Sequence, residues 1–457
     1  MKRLLLIFVT IAITSCSFDN KTGIWKDAAN TPIENQNPKS ITGNNSESRY
    51  EDIFVKNKTF DEEKEPSNPS NIKIDKPLKV VNWSEQYGIP SNNISNFYYA
   101  DNKTLLTRSN KLSNSPSGKI NSNRNIIFYK NNLISYDHNG TIFIYSLDLN
   151  KKIFKYNFYK KNFKNFNKEI YLTINENILY VADNLGYMYA FNLDNNNIIW
   201  AKNYGIPFRS NLKFDKNQIF LASQDNVIYS INKKNGNKNW QFATSLTFLK
   251  SDFQNNVALD IVDDNLFFLN TSGELYSINY KTQNINWVLN FKDPSIGRDA
   301  ELFLSHPIVI KNNDLIISTE TKILNLNTSI GLKNWDLQVE PVFKPIITSG
   351  HTYVISKNNL LICIDNKNGE VVWSKNIFRS IEEKKINNKF GAIIDFKIVN
   401  GEINIYSKNG YLLSSNSNNG NLDYLSKISK KGINSEVIFL NNNMFFLDND
   451  NKLLKFN

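Results

Sequence analysis

The sequence predicts an all-β protein made of repeated four-stranded antiparallel sheets, and three observations lead to this prediction. The chain has 457 residues, of which 40% are hydrophobic and 13% aromatic, enough for a large core. Tryptophan recurs at nearly regular intervals through the second half of the chain. Alternating apolar residues and turn-forming Gly or Asn residues keep the same distances from each tryptophan. Such a repeat is typical of sheets stacked against one another.

An aromatic residue marks each copy of the repeat. The last five tryptophans lie 40, 47, 48 and 38 residues apart, and tyrosine takes the same position in two further copies. Trp83 also fits, because "WSEQYGIP" at 83–90 repeats "WAKNYGIP" at 200–207. The eight positions are Trp83, Tyr156, Trp200, Trp240, Trp287, Trp335, Trp373 and Tyr424. The sequence therefore predicts eight copies.

Fixed distances from the aromatic residue define the strands and turns of one copy. Tyr189 and Phe191 stand eleven and nine residues before Trp200, the alternation expected of a strand. The turn four residues before the aromatic position is occupied by Asn196, Gly236, Gln283, Gly331, Gly369 and Gly420. A second turn is occupied by Gly186, Asn226, Gly273, Asn359, Gly410 and Asn451. Gly and Asn tolerate positive φ, so each copy is predicted to be a propeller blade of short strands joined by hairpins.

The two ends of the chain predict how the ring closes. Leu454 and Phe456 match the third strand of a blade, and no fourth strand follows them. Residues 78–90 are therefore predicted to be a detached strand that completes the last blade, which leaves no open sheet edge. The interval from Trp83 to Tyr156 is longer than the others. Its surplus, residues 104–125, is either a long loop or an additional degenerate blade.

The first residues predict export. Lys2 and Arg3 precede an apolar run at 4–13 that is too short to span a bilayer, as in a secretory signal. The following "ITSC" resembles the bacterial lipobox, which implies a lipidated Cys16, and Ser17 after it implies sorting to the outer membrane. An ordinary cleaved signal that happens to contain a cysteine is the alternative.

Composition divides the rest of the chain. Residues 1–15 are predicted to be a lipoprotein signal peptide, 16–75 a lipidated cysteine and disordered tether, and 76–457 the propeller. Trp25, inside the tether, either docks onto a surface or touches the membrane interface. The net charge of +11 favours anionic lipid or an acidic protein patch, unless it reflects only a general bias toward lysine. Cys363 alone remains, so no disulfide framework is expected.

Two stretches carry a resemblance to a known repeat. "YSINKKNGNKNW" and "ICIDNKNGEVVW" resemble the pyrroloquinoline-quinone-type propeller repeat, and with the lipobox the chain resembles the BamB-type outer-membrane assembly lipoproteins. This resemblance implies a scaffold without enzymatic activity on the periplasmic face of the outer membrane. It also implies binding to the periplasmic part of BamA, the barrel protein of the BAM complex, and to unfolded outer-membrane protein clients.

The same resemblance implies where a partner binds. Two segments in the middle of the chain, "SLTFLKSDF" at 245–253 and "SIGRDAELF" at 295–303, correspond to the binding loops of the family. The residues expected to contact the partner are Leu246, Phe248, Lys250, Arg298, Asp299 and Glu301. Aromatic and Arg residues are frequent among interface hot spots. The alternative is that both segments are ordinary strands and solvated loops.

An enzyme is the rival interpretation. A quinoprotein dehydrogenase of this repeat family would need a calcium site of Glu, Asn and Asp, whereas Asp148, Asp194 and Asp365 fall in the repeated turn. The three histidines, His138, His306 and His351, are scattered through turn-like stretches. No haem, hydrolase or phosphate-loop motif occurs. The sequence therefore predicts no catalytic residue, no cofactor and no metal, and export excludes a nucleic-acid partner. A different periplasmic adaptor with the same ring remains a third reading.

Overall fold

The described part of the chain falls into two units. The computed structural model describes residues 16–18, 25–27, 59–66, 72–112, 126–137, 139–159, 163, 166–244, 256–291, 302–379 and 389–457. The first unit, Met1–Lys56, contains a short antiparallel pair, β1 (Cys16–Phe18) and β2 (Trp25–Asp27). The second unit, Asn57–Asn457, contains every other described strand. Within these ranges, no helix is long and apolar enough to cross a membrane.

The second unit is a ring of eight four-stranded antiparallel sheets, which confirms the predicted propeller. Blade 1 contains β4 (Ile127–Tyr129), β5 (Asn132–Tyr136), β6 (Thr141–Ser146) and β7 (Lys151–Asn157). Blade 2 contains β8 (Ile170–Asn175), β9 (Ile178–Asp183), β10 (Tyr187–Asn192) and β11 (Asn197–Asn203). Blade 3 contains β12 (Lys213–Phe214), β13 (Gln218–Ala222), β14 (Val227–Asn232) and β15 (Lys238–Ala243). Blade 4 contains β16 (Asn256–Asp260), β17 (Asn265–Leu269), β18 (Glu274–Asn279) and β19 (Asn284–Asn290).

The other four blades have the same order. Blade 5 contains β20 (Val309–Lys311), β21 (Asp314–Ser318), β22 (Lys322–Asn327) and β23 (Lys333–Gln338). Blade 6 contains β24 (Ile346–Ile347), β25 (His351–Ile355), β26 (Leu360–Asp365) and β27 (Val371–Asn376). Blade 7 contains β28 (Ile393–Val399), β29 (Glu402–Ser407), β30 (Tyr411–Asn416) and β31 (Leu422–Lys427). Blade 8 contains β32 (Ile438–Leu440), β33 (Asn443–Leu447), β34 (Leu453–Phe456) and β3 (Leu105–Arg108). First strands of neighbouring blades contact one another and surround the axis of the ring.

Both predicted turn positions have the backbone conformation that their residues favour. At the turn before the aromatic position, φ is +58° at Asn196, +69° at Gly236 and +65° at Gln283. At the other turn, φ is +88° at Gly186 and +59° at Asn226. Only Gly and a few polar residues adopt this region without large strain. The turn chemistry therefore sets the hairpins of the blades, as predicted.

The repeated tryptophan joins each blade to the next one. Trp200, in blade 2, donates its indole N–H to the carbonyl of Lys233 in blade 3 at 2.9 Å. Its ring lies under the turn of blade 3, where a Cβ built on Gly236 would come within 2.6 Å of it. Trp287 and Trp335 donate in the same way to blades 5 and 6, at 3.0 and 2.7 Å. Each ring is thus a wedge between neighbouring sheets.

Replacing Gly236 by Ala is expected to destabilise the ring more than replacing Gly205 by Ala. Both glycines have positive φ, so each change costs about 1–2 kcal/mol of backbone strain. Only at Gly236 does the new Cβ meet the Trp200 ring, whereas nothing lies within 4 Å at Gly205. The overpacking adds about 1–3 kcal/mol to the loss at Gly236. Urea denaturation of both variants measures the difference, and equal losses would contradict the wedge.

One predicted aromatic position is wrong by two residues. Phe154, not Tyr156, pairs with Ile144 as Trp200 pairs with Ala190, each just before the same register shift. Its ring also packs 5.1 Å from Phe191 of the next blade. A shift of two residues keeps the same side of a strand, so alternation alone could not reveal it.

The ring is closed by an N-terminal strand, as predicted, but the predicted segment is wrong. The outer strand of blade 8 is β3, which pairs with β34 through Leu105–Phe456 and Arg108–Leu454. Arg108 also forms an ion pair at 2.6 Å with the fully buried Asp448. Residues 104–112 therefore provide the closing strand, not an additional blade. Trp83 does not belong to the outer strand of any blade.

Candidate functional site

Residues 78–100, here called the channel segment, run around the axis of the ring. Hydrogen bonds or ion pairs connect the segment to the innermost strand, or the turn after it, in every blade. In blade order the contacts are Trp83–Phe128, Ser84–Ile174, Glu85–Lys213, Pro90–Leu259, Ser91–Ile310, Asn93–Ile347, Phe97–Ile398 and Val80–Asn441. The innermost strand of a sheet has an unpaired edge, and the channel segment satisfies part of that edge in each blade.

Asparagine side chains make several of these contacts. The amide of Asn92 donates to the carbonyls of Val257 and Ile308 at 3.1 and 2.9 Å, which connects blades 4 and 5. Asn93 donates to the carbonyl of Ile347 and accepts from its N–H, at 2.9 and 3.0 Å. An asparagine amide offers the same donor and acceptor as a peptide group, so it can extend a sheet edge where the backbone cannot.

Apolar side chains of the channel segment complete its packing. Trp83 is 1% exposed and Phe97 2%, and both belong to a core cluster with blades 1, 7 and 8. The ring of Phe97 lies 5.5 Å from that of Phe439. The segment is therefore part of the hydrophobic core, and it occupies axial space that a ring of blades offers to a small ligand.

A buried ion pair joins the channel segment to blade 3. Lys213 Nζ lies 2.7 Å from Glu85 Oε2, and the two side chains are 0% and 1% exposed. Lys213 also donates to the carbonyl of Ile89 at 3.1 Å. Burial raises the pKa of Glu85 and lowers that of Lys213, and the attraction between the two charges offsets part of each shift. Because each charge stabilises the other, the loss of either residue would leave a buried charge without its partner.

A second charged cluster lies on blades 6 to 8. Lys397 is 2.9 Å from both Asp395 and Glu436. Burial lowers the pKa of Lys397, but attraction to the two carboxylates outweighs it, so the pKa lies above the ordinary value. Burial, together with repulsion from Lys397, lowers the pKa of Lys344 to about 7, and its ammonium lies 5.8 Å from the ring of Tyr87 in the channel segment. Lys397 thus pairs with both carboxylates of the cluster.

The acidic residues and histidines considered for the enzyme interpretation do not form one cluster. Asp194 lies in a repeated turn, whereas Asp365 ends strand β26 and accepts from the N–H of Lys367 in the turn that follows, at 2.7 Å. His306 contacts the Pro341 carbonyl at 3.0 Å, whereas His351 lies in β25 of blade 6. Burial lowers the pKa of both imidazoles. Among the residues that the structure describes, no group of three or more His, Cys, Asp or Glu side chains could hold a metal ion.

The predicted partner-binding residues fall outside the part of the chain that the structure describes. They are Leu246, Phe248, Lys250, Arg298, Asp299 and Glu301, and His138 is outside it as well. Their segments connect β15 to β16 and β19 to β20. Because β15 and β19 hold the same place in consecutive blades and run in the same direction, both connections begin at one face of the ring. The backbone of Cys16 lies in β1.

A further site escaped sequence reasoning. Residues 59–66, here called the acidic strap, were predicted as part of the tether, and they pair with the outer strands of blades 5 and 6. Phe60 N–H donates to the Gln338 carbonyl at 2.7 Å. Lys64 and Ser374 exchange two backbone hydrogen bonds of 3.0 and 2.9 Å. The signal in the sequence was the run "DEEKE", whose charges have partners on blade 6.

Comparisons with known proteins identify relatives of this ring. A sequence model of the family described as outer membrane protein assembly factor BamB matches residues 144–375, just over half of the chain. The outer membrane protein assembly factor BamB of Yersinia pestis is 20% identical over 267 residues. That match covers 53% of this chain and 62% of the relative, so the chain spans less than two thirds of the length of that relative.

Solved structures share the architecture. BamB from Moraxella catarrhalis is similar with a TM-score of 0.58 at 12% identity, over 77% of this chain and 98% of that one. A quinohemoprotein alcohol dehydrogenase from Pseudomonas putida HK5 gives 0.57 at 8% identity, over 82% and 80% of the two chains. At such identities these likenesses show a common fold and nothing about activity. The match of the family model to half of the sequence decides the family: the chain belongs to the BamB family of outer membrane protein assembly factors.

Proposed function

We propose that this protein is a scaffold lipoprotein, without enzymatic activity, of the machinery that assembles β-barrel proteins in the outer membrane. Its membership of the BamB family carries the proposal. The partner is a BamA-like barrel protein, bound through its periplasmic part, and unfolded outer-membrane proteins are the clients. A rigid ring closed by its own N-terminal strand suits a scaffold, since it presents loops on a fixed frame.

The course of the channel segment along the inner strands favours a scaffold over a quinoprotein dehydrogenase. A cofactor-sized ligand needs a concave site of several hundred Å³ with a few convergent polar groups. Here the channel segment takes up axial space, and Glu85 and Lys213 are paired with each other at 2.7 Å. The likeness to the dehydrogenase, at 8% identity, extends to the fold alone.

The proposed location is the periplasmic face of the outer membrane, with an acyl anchor on Cys16. The "ITSC" sequence and the charged, apolar start of the chain support it. Residues 17–58 would then separate the anchor from the acidic strap on blades 5 and 6. The net charge of +11 would favour approach to anionic lipid or to acidic protein surfaces.

The proposed partner-binding surface is the rim formed by the two connections that flank blade 4. Phe248 supplies an aromatic anchor and Arg298 a charged one, the residue types that dominate binding energy at interfaces. Both connections begin at the same face of the ring, so one partner domain can contact both.

The test is recovery of the partner from solubilised membranes. The wild-type chain is expected to bring down a BamA-like protein, and Phe248→Ala with Arg298→Ala to reduce recovery at least fivefold at unchanged Tm. A matched pair on exposed residues elsewhere, Lys234→Ala with Val262→Ala, is expected to retain recovery. With Cys16→Ser the protein is expected in the soluble fraction.

Three results would contradict the proposal. Recovery of an unrelated periplasmic protein in place of a BamA-like protein would assign the ring to a different complex. Reduction of a dye by the purified protein with added quinone and calcium would assign it to the dehydrogenases. If the Cys16→Ser variant still fractionates with membranes, the protein is not anchored through a lipid on Cys16.

A further inference from the structure

In blade 6 the outer strand, β27, is covered by the acidic strap, whereas the outer strand of blade 4 faces solvent. In β19 of blade 4 every residue is exposed or half-buried. In β27, by contrast, Ser374 is 0% exposed and Lys375 is 8% exposed. The acidic strap makes the difference, because it pairs with this strand at Lys64–Ser374. Edge β27 is therefore built to be paired with another strand.

Side chains of the edge match the acidic residues of the strap. Glu63 Oε2 lies 2.7 Å from the Arg379 guanidinium, and Glu63 Oε1 accepts from the Asn376 N–H at 2.7 Å. Two residues further along, Glu65 forms an ion pair with Lys375. Residues two apart in an extended segment lie on the same side, so the alternating glutamates meet the two cations together. The Ser374 hydroxyl adds a 2.6 Å hydrogen bond to the Glu62 carbonyl.

The strap makes fewer backbone hydrogen bonds than a strand inside a blade, although Phe60 also packs against a core cluster and the Lys64 ammonium donates to the Val371 carbonyl. It makes two backbone hydrogen bonds to Ser374 and one to Gln338, each worth about 0.5–1.5 kcal/mol net. The Glu65 side chain is 74% exposed and that of Arg379 66%, so their ion pairs add little and are screened by salt. The strap can therefore open locally while the ring stays folded.

We propose that the outer edge of blade 6 is a binding site for extended acidic segments, occupied by the acidic strap until a partner's acidic strand replaces it. Recognition combines backbone pairing along β27 with charge contacts to Lys375 and Arg379. A strap tethered next to its site competes at an effective concentration of the order of mM. A partner strand must therefore form more backbone hydrogen bonds and ion pairs with this edge than the strap does. The proposal rests on blade 6 and the acidic strap alone, and it stands whether or not residues 245–253 and 295–303 bind BamA.

A synthetic peptide of residues 59–66, labelled with a fluorophore, tests this site in the full-length protein. A strap-weakened variant, Glu63→Ala with Lys64→Pro and Glu65→Ala, loses both carboxylates and the N–H that donates to Ser374. The peptide is expected to bind this variant at least tenfold more tightly than the wild-type chain, measured by fluorescence anisotropy. Raising NaCl from 0.05 to 0.5 M shortens the screening length roughly threefold and is expected to weaken binding.

Controls separate recognition from general charge attraction. A peptide with its glutamates replaced by lysine is expected not to bind. Adding Arg379→Glu to the strap-weakened variant is expected to reduce binding at least fivefold, and since this side chain is 66% exposed the variant should melt like its parent. Equal peptide binding by all variants would overturn the proposal. A dimer of the strap-weakened variant that excludes the peptide would also overturn it, by assigning the edge to a second copy of the chain.

Discussion

A chain that begins at residue 102 is expected not to form a stable ring, although it keeps the closing strand β3. It lacks the channel segment, whose Trp83, Ile94 and Phe97 are 1%, 6% and 2% exposed. Each such side chain stabilises the fold by about 1.5–3 kcal/mol, and whole proteins are stable by only about 5–15 kcal/mol. Inner strands of all eight blades would also lose hydrogen-bond partners. Aggregation, or a Tm at least 10 °C lower, is the expected outcome.

The control for this truncation is a chain that begins at residue 57. It loses the first unit, Met1–Lys56, and keeps the acidic strap, the channel segment and the closing strand. This chain is expected to melt within about 2 °C of the full-length protein, because the second unit contains every blade. Size-exclusion chromatography and thermal melting distinguish the two truncations. A chain from residue 102 that melts like the control would show that the channel segment is dispensable.

Replacing Lys213 by Met is expected to cost about 3–5 kcal/mol, because it leaves the Glu85 carboxylate buried without its partner. The double variant, Glu85→Met with Lys213→Met, is expected to recover most of this loss, since apolar residues of similar size fill the space and no buried charge remains. Urea denaturation of the single and double variants measures both effects. A double variant as unstable as the single one would show that packing, not charge, fixes this site.

The single variant should also change its response to pH. Burial already raises the pKa of Glu85 above its ordinary value, and removal of the lysine raises it further. A raised folded-state pKa means that the folded protein binds the proton more tightly than the unfolded chain does. The Lys213→Met variant is therefore expected to be most stable in acid and to lose stability as pH rises through the folded-state pKa. Denaturation at pH 5 and pH 8 tests the direction.

Local features of the fold were predictable, because local chemistry sets them. Turns with φ of +69° at Gly236 and +88° at Gly186 need residues that tolerate this conformation, and the sequence provides them at fixed spacing. Trp200, Trp287, Trp335 and Trp373 mark outer strands because each packs under a turn of the next blade. The two-residue error at Tyr156 arose because Phe154 lies on the same side of the same strand.

The course of the N-terminal residues was not predictable, because it depends on distant contacts. The repeated Tyr-Gly-Ile-Pro phrase describes a turn, with φ of +82° at Gly88 and +79° at Gly205, but not its surroundings. A Cβ built on Gly88 would meet the Trp83 ring on the axis, whereas one built on Gly205 would have nothing within 4 Å. The two phrases also differ in backbone, since φ is +66° at Tyr87 but is not positive at Tyr204. Their contacts distinguish them: Pro90 bonds to Leu259, and Tyr204 bonds to Gly186.

Closure of the ring by β3 has a consequence for biosynthesis. Leu105 pairs with Phe456, so nearly the whole length of the chain separates two neighbouring residues. Contacts so remote in sequence form slowly, since a very large loop must close first. Until β34 has been synthesised, blade 8 has no third strand to which β3 can attach, and its apolar surfaces stay open to aggregation. The last blade is therefore expected to close only after the C-terminal strand has been synthesised.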